Sequence, residues 1–122
     1  MNKAFRPLEK QVQTTILQWL EYQPEWFGWR QNAGMSINRY TSKNGHTSTH
    51  AFRAAAIDGI SDIIGMWDGR FVAIEVKRPG EKVKPNSNQD LFLDNVRRHK
   101  GIAIVADNLY TVMEAFNRKE TT

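Results

Sequence analysis

The chain has 122 residues and a formal net charge of +4, from 17 Lys and Arg against 13 Asp and Glu. This length suits one domain, and the lack of cysteine excludes a disulfide scaffold and a thiolate-held metal site. No apolar run reaches the ~18 residues of a membrane span. The N-terminus also lacks an apolar signal core, so we expect a cytoplasmic protein with no membrane partner. The positive charge favours an anionic partner, of which nucleic acid is the leading candidate. The alternative is that the charge only aids solubility.

The first half of the chain predicts a helix, an aromatic strand and a polar loop. Apolar residues from Leu8 to Leu20 recur at helical spacing, and Pro24 ends the pattern. The aromatic segment 26–32 predicts the entry to a strand. Its rings are expected in the core, with stacking on a base as the alternative. The segment 41–50 is wholly polar and predicts a long mobile loop.

A β-hairpin is the strongest local signal in the second half. The runs 60–67 and 70–77 are rich in β-formers, and only Asp68-Gly69 separates them. This dipeptide favours a two-residue hairpin turn. The sequence therefore predicts two antiparallel strands joined at Asp68-Gly69.

Three further elements follow the hairpin. They are a helix capped by Ser87, a buried strand over 102–105 and a short helix over 111–116. The order helix, two or three antiparallel strands, helix, strand, helix predicts an α/β fold. In that fold a mixed central sheet is flanked by helices.

The register of the hairpin brings three charged residues together. With Asp68 and Gly69 as the turn, Asp62 lies directly opposite Glu75, and Lys77 shares the face of Glu75. Two opposed carboxylates repel unless a cation lies between them, and oxygen ligands at this spacing suit Mg²⁺ or Mn²⁺. The alternative is a surface cluster of weak ion pairs.

Glu9 provides a separate hint in the first helix. At about 100° per residue, Glu9 projects between Ile16 and Leu20, inside the apolar stripe. A carboxylate that faces a core needs a partner. The alternative is a first-turn carboxylate that reaches solvent or caps the helix.

The spacing of these residues resembles a known nuclease signature. Gly59-Ile60-Ser61-Asp62, then twelve residues, then Glu75-Val76-Lys77 is similar to the motif of the PD-(D/E)xK nuclease superfamily, with Ser61 in place of the usual proline. The fuller ordered set resembles the VRR-NUC (virus-type replication-repair nuclease) family over roughly residues 8 to 113. That set adds Glu9 with Gln13, Arg30 and Asn32 ahead of Gly34, Gln89, and a strand led by Gly101.

The resemblance implies a restriction-endonuclease-like core in one domain over 1–122. It also implies metal-dependent hydrolysis of DNA phosphodiester bonds. Asp62, Glu75 and the carbonyl of Val76 are implied to hold Mg²⁺ or Mn²⁺, with no organic cofactor. Glu9 is implied to bind a metal-coordinated water molecule or a second metal ion.

The remaining implied roles concern the water and the DNA. Lys77 is implied to orient the attacking water and to neutralise charge on phosphorus. Gln89 is implied to hydrogen-bond Glu75, Lys77 or the water, with a plain surface glutamine as the alternative. The catalytic set is thus Glu9, Asp62, Glu75, Lys77 and Gln89. Seven polar or basic residues are expected to contact DNA: Arg30, Asn32, Arg39, Lys43, Arg53, Lys82 and Lys84. The alternative for each of them is an ordinary surface residue.

The substrate implied by the resemblance is branched DNA. Holliday-junction resolution of the phage type, by a homodimer in the cytoplasm of a bacterial host, is the leading expectation. A flap or nicking endonuclease is the alternative within the same class. A basic nucleic-acid-binding module with a decayed site is the alternative from another class, and the joint presence of the acidic residues and the lysine argues against it.

Overall fold

The computed structural model describes residues 6–31, 35–41, 47–53 and 57–117. The elements that follow one another along these residues are α1 (Glu9–Glu21), β1 (Trp26–Arg30), β2 (Met35–Thr41), β3 (Thr47–Arg53), β4 (Ile63–Trp67), β5 (Arg70–Val76), α2 (Asn88–Arg98), β6 (Ile102–Ala106) and α3 (Leu109–Asn117). Within these ranges, no helix is both long and apolar enough to cross a lipid bilayer.

The hairpin β4–β5 has the predicted turn and register. Asp68 and Gly69 adopt φ values of 50° and 87°, as a two-residue turn that follows the twist of the strands requires. Trp67 pairs with Arg70, and Ile63 pairs with Ile74. The register that places position 62 opposite position 75 is therefore confirmed.

The central sheet has four strands in the order β1-β4-β5-β6. The β1–β4 and β4–β5 pairs are antiparallel, whereas β5 and β6 are parallel. A parallel pair needs a crossover connection, and α2 provides it. The sheet is thus mixed, as the predicted α/β, restriction-endonuclease-like class requires.

Helices cover both faces of this sheet. Buried residues of α1 and α3, such as Ile16 and Val112, form one apolar cluster with Ile74 and other sheet residues. Leu93 and Val96 of α2 form a second cluster on the opposite face. Ser87 caps α2 as predicted, because its hydroxyl accepts from the Asp90 backbone N–H. The three layers leave the ends of β4 and β5 at the margin of the sheet.

The prediction of a loop over 41–50 is wrong where the structure describes it. Thr41 ends β2 and 47–50 lie in β3, and the two strands form a separate antiparallel sheet. Residues 42–46 lie outside the described residues. The prediction failed because a two-stranded ribbon apart from the main sheet needs no apolar alternation, while its threonines still favour extended backbone.

Candidate active site

Asp62 and Glu75 meet where β4 begins and β5 ends. Asp62 Oδ2 accepts a hydrogen bond of 2.8 Å from the Val76 backbone N–H. On its other side, the Asp62 carbonyl accepts from the Gln31 backbone N–H at 2.6 Å. These bonds extend the pairing of β1, β4 and β5 beyond the regular strands. They hold Asp62 beside Glu75, where the register predicts it.

Glu75 is a buried acid with an incomplete set of partners. The residue is only 5% exposed. Its Oε1 lies 3.9 Å from Lys77 Nζ, a loose ion pair. Within the described part of the chain, its Oε2 is buried and has no hydrogen-bond partner. Such a carboxylate is costly unless a cation or a proton neutralises it.

The pKa values of both acids reflect this crowding. Burial, together with the Asp62 charge, raises the pKa of Glu75 to about 8, even though Lys77 opposes the rise. Burial also raises the pKa of Asp62, against the hydrogen bond from Val76 that lowers it. Among the described residues, Lys77 is the cation that acts on both acids, so one positive charge faces two negative charges when both carboxylates are ionised.

Glu9 lies at the same site, as the helical stripe predicts. It is partly buried in the first turn of α1. Its negative charge raises the pKa values of both Asp62 and Glu75. The structure thus brings Glu9, Asp62, Glu75 and Lys77 together from three separate elements.

Two arginines fix the start of α1 against the segment that follows Lys77. Arg6 Nε donates to the Pro79 carbonyl at 2.9 Å, and its guanidinium pairs with Glu81 at 3.1 Å. In return, Arg78 Nε donates to the Pro7 carbonyl at 3.3 Å. This reciprocal contact sets the position from which Glu9 faces the acids.

Gln89 is placed beside the site through its backbone. Gly59 has φ +73°, and a Cβ there would lie 2.2 Å from Asn88 backbone atoms and 2.6 Å from the Gln89 backbone nitrogen. The 59–62 segment therefore runs directly against the first turn of α2. Gln89 is half-buried at this contact with Gly59, which precedes Asp62 by three residues.

The residues expected to contact DNA have more varied surroundings. Arg30 is exposed, and its guanidinium donates to Thr14 Oγ1 at 2.9 Å. Lys82 and Lys84 are exposed on the loop between β5 and α2. Arg39 and Arg53 lie in β2 and β3, where the backbone is described, whereas Asn32 and Lys43 lie outside the described residues.

Comparison with protein families agrees with this geometry. The model of the VRR-NUC domain matches residues 8–108, most of the chain. The chain belongs to the VRR-NUC family. It is thus a nuclease domain of the PD-(D/E)xK type, and the matched span contains Glu9, Asp62, Glu75 and Lys77. No curated protein and no solved structure matches the chain.

The donor set of this VRR-NUC domain suits a hard divalent cation. Two carboxylates lie side by side, and one buried oxygen of Glu75 has no partner within the described ranges. Among the described residues, no group of three or more His, Cys, Asp or Glu is arranged to hold a metal ion. A metal here would therefore take two acids, with backbone carbonyl and water oxygens completing its sphere.

Sequence reasoning missed two features of the site. Gln31 continues the row of Asp62 and Glu75 onto β1, but an isolated glutamine after a strand carries no pattern. The Arg6 and Arg78 contacts join positions more than 70 residues apart in sequence, so no local signal indicates them.

Ser61, where the motif usually has proline, is fully buried and its hydroxyl has no partner in the described chain. The position therefore selects a small side chain and has no evident use for a hydroxyl.

Proposed function

We propose that the chain is a divalent-metal-dependent endodeoxyribonuclease that cuts branched DNA. The observation that carries the proposal is the buried carboxylate of Glu75 beside the half-buried carboxylate of Asp62, with Lys77 next to them. A structural ion pair would satisfy its own carboxylates. Among the residues that the structure describes, one buried Glu75 oxygen has no hydrogen-bond partner, and a bound cation would balance the charges of the two acids.

The carboxylates of Asp62 and Glu75 would hold Mg²⁺ or Mn²⁺ together with the Val76 carbonyl. The Val76 N–H points to Asp62, and in an extended strand the N–H and C=O of one residue point to the same side. The ion would supply Lewis-acid polarisation of the scissile phosphate and a water of lowered pKa.

The other residues act on the water and on the developing charge. Lys77 is 3.9 Å from Glu75, too far for a tight ion pair, so its ammonium is available to the phosphate and the attacking water. Glu9 approaches from α1 and would accept a hydrogen bond from water at the site. Gln89, on the opposite side, would orient the same water.

Branched DNA is proposed from the family resemblance, with the Holliday junction as the leading substrate. A flap or a nicked duplex is the alternative substrate for the same site. Exposed cations beside the site, Lys82 and Lys84, would contact phosphates. A decayed binding module is disfavoured because it has no need to keep a buried acid beside a second acid at a stability cost.

The test compares cleavage and binding in matched variants. Junction, flap and plain duplex substrates are incubated with Mn²⁺, with Mg²⁺ or with EDTA. Asp62→Ala and Glu75→Ala are expected to reduce cleavage to background while DNA affinity stays within a few-fold, because metal ligands act on the transition state and phosphate contacts set affinity. Asp94→Ala, which removes an exposed acid of α2 that pairs with Arg98, is the control. Full activity of both site variants, or wild-type cleavage in EDTA, would end the assignment.

A further inference from the structure

One face of the sheet is only partly covered by its helix. On this face α2 packs against β5 and β6, and Leu93 and Val96 cover Ile64 and Ala73. The neighbouring part, on β1 and the far end of the hairpin, exposes large apolar side chains. These are Phe27 at 67%, Trp29 at 47%, and the partly exposed Met66 and Phe71. The prediction that the β1 aromatics are core residues is therefore wrong for Phe27 and Trp29, since the covering helix does not reach β1.

The exposed rings of Trp29 and Phe27, the aromatic stripe, lie in line with the active site. Trp29 pairs with Ile64, and Phe27 pairs with Met66. The next row beyond Trp29 contains Gln31, Asp62 and Glu75, by continuation of the same register. Rows on one face are two residues apart, or about 6.5–7 Å. Trp29 is thus one row from the carboxylates, and Phe27 is two rows away.

Hydrogen bonds connect the stripe to the site and fix the indole. Trp29 Nε1 donates to Gln31 Oε1 at 3.0 Å, and the Gln31 backbone N–H donates to the Asp62 carbonyl at 2.6 Å. Phe27 meets Trp29 edge to face, with centroids 6.2 Å apart and an interplanar angle of 75°. Because the indole N–H donates to Gln31, the orientation of the Trp29 ring is fixed while its face is exposed to solvent.

We infer that the aromatic stripe binds an unpaired base of the DNA next to the scissile phosphate. The inference rests on the proposed function and adds a substrate requirement to it. Stacking on an aromatic ring needs a free base face, and bases inside a duplex keep their faces in the stack. The site therefore selects DNA whose nucleotides splay apart beside the cut.

Position and charge favour a nucleic acid over a second protein chain on this surface. The stripe is continuous with the row that contains the two acids, so DNA bound at the acids passes over it. Lys77, on the same strand and face as Glu75, attracts phosphates at this margin. A second copy of the chain, also with a charge of +4, would gain no such attraction.

The experiment measures binding without metal, so that no substrate is cut. Oligothymidine and a blunt duplex of equal length are titrated in EDTA against the wild type, Trp29→Ala, Trp29→Phe and the control Tyr110→Ala. Tyr110 is an exposed ring on α3, the helix that packs on the other face of the sheet. Trp29→Ala is expected to weaken oligothymidine binding by about 10-fold, the loss of one stacked base. Trp29→Phe and Tyr110→Ala should stay within about two-fold, and duplex binding should be unchanged.

Intrinsic fluorescence and mass separate the remaining outcomes. Oligothymidine should quench wild-type tryptophan emission, and Trp29→Phe should remove that quenching. Unchanged oligothymidine affinity of Trp29→Ala, or an equal loss on duplex, overturns the inference. A change in the molecular mass of Trp29→Ala by light scattering also overturns it and makes the stripe a protein interface. Cleavage by the wild type with Mn²⁺ is scored separately, so the nuclease proposal stands or fails on its own.

Discussion

Glu75 should make the metal-free protein less stable as the pH rises. Its pKa is about 8 in the folded chain and its ordinary value is 4.5. Between these values the folded state binds more protons than the unfolded state, so the free energy of unfolding falls with rising pH. One pKa unit corresponds to about 1.4 kcal/mol, and the loss should therefore reach a few kcal/mol. Urea denaturation in EDTA from pH 5 to pH 8.5 measures it.

Glu75→Gln is the matched control because it keeps the shape and removes the titration. Subtracting its pH profile from the wild-type profile isolates the Glu75 contribution from other groups. At pH 8, Mg²⁺ or Mn²⁺ should raise the melting temperature of the wild type but not of the variant. Parallel profiles for the two proteins would contradict the burial argument.

At the scale of residues, the predictable part of the site is the part that strand register determines. One turn dipeptide and the two-residue period of strands are enough to predict that Asp62, Glu75 and Lys77 lie together. Glu9 follows from helical periodicity. The positions of Gln31, Arg6 and Arg78 could not be predicted in this way. Contacts between segments that are distant in sequence place them, and the sequence around them has no periodic pattern of apolar residues.

At the scale of elements, Gly59 places the segment that precedes Asp62 and β4 against the first turn of α2. Gly59→Ala should destabilise the chain for two reasons. A side chain at positive φ costs roughly 1–2 kcal/mol, and a Cβ 2.2 Å from Asn88 backbone atoms adds the cost of overpacking, about 1–3 kcal/mol. The free energy of unfolding from urea denaturation, with cleavage rates beside it, is the measurement.

Gly69→Ala separates these two costs. Gly69 also has positive φ, but a Cβ there would meet nothing within 4 Å. The two variants share the backbone strain, so the difference between them reports the close approach to α2. Gly59→Ala should be the less stable and should also lose more cleavage, since it displaces both Asp62 and Gln89. Equal losses for the two variants would mean that the contact at Gly59 is unimportant.

The elements that the sequence predicts best are those with a local signal of their own, such as a turn dipeptide, a helix cap or an apolar stripe. The hairpin has Asp68-Gly69, α2 has Ser87, and α1 has its apolar stripe. The segments that form β2 and β3 are mostly polar in sequence. Their pairing comes from backbone hydrogen bonds along threonine-rich strands, which composition alone does not distinguish from a loop.

At the scale of the whole molecule, the fold places one set of acids at one end of one sheet. The α1 and α3 layer packs on one face of the sheet, and α2 covers part of the other. In the part of the chain that the structure describes, Asp62 and Glu75 lie at the sheet margin where β4 begins. Each chain thus carries one set of Asp62, Glu75 and Lys77, and one chain makes one cut at a time.

Resolution of a four-way junction needs two nicks in opposed strands, and a symmetric dimer makes them most simply. We expect light scattering at micromolar concentration to give a mass near twice the 14.1 kDa of one chain. Junction affinity should fall steeply with salt, because both subunits contact phosphates and each contact releases counterions. Glu75→Ala should keep the same mass, since the acid lies inside one chain. A mass near 14 kDa that junction DNA does not change would leave a monomeric nicking or flap nuclease as the better description.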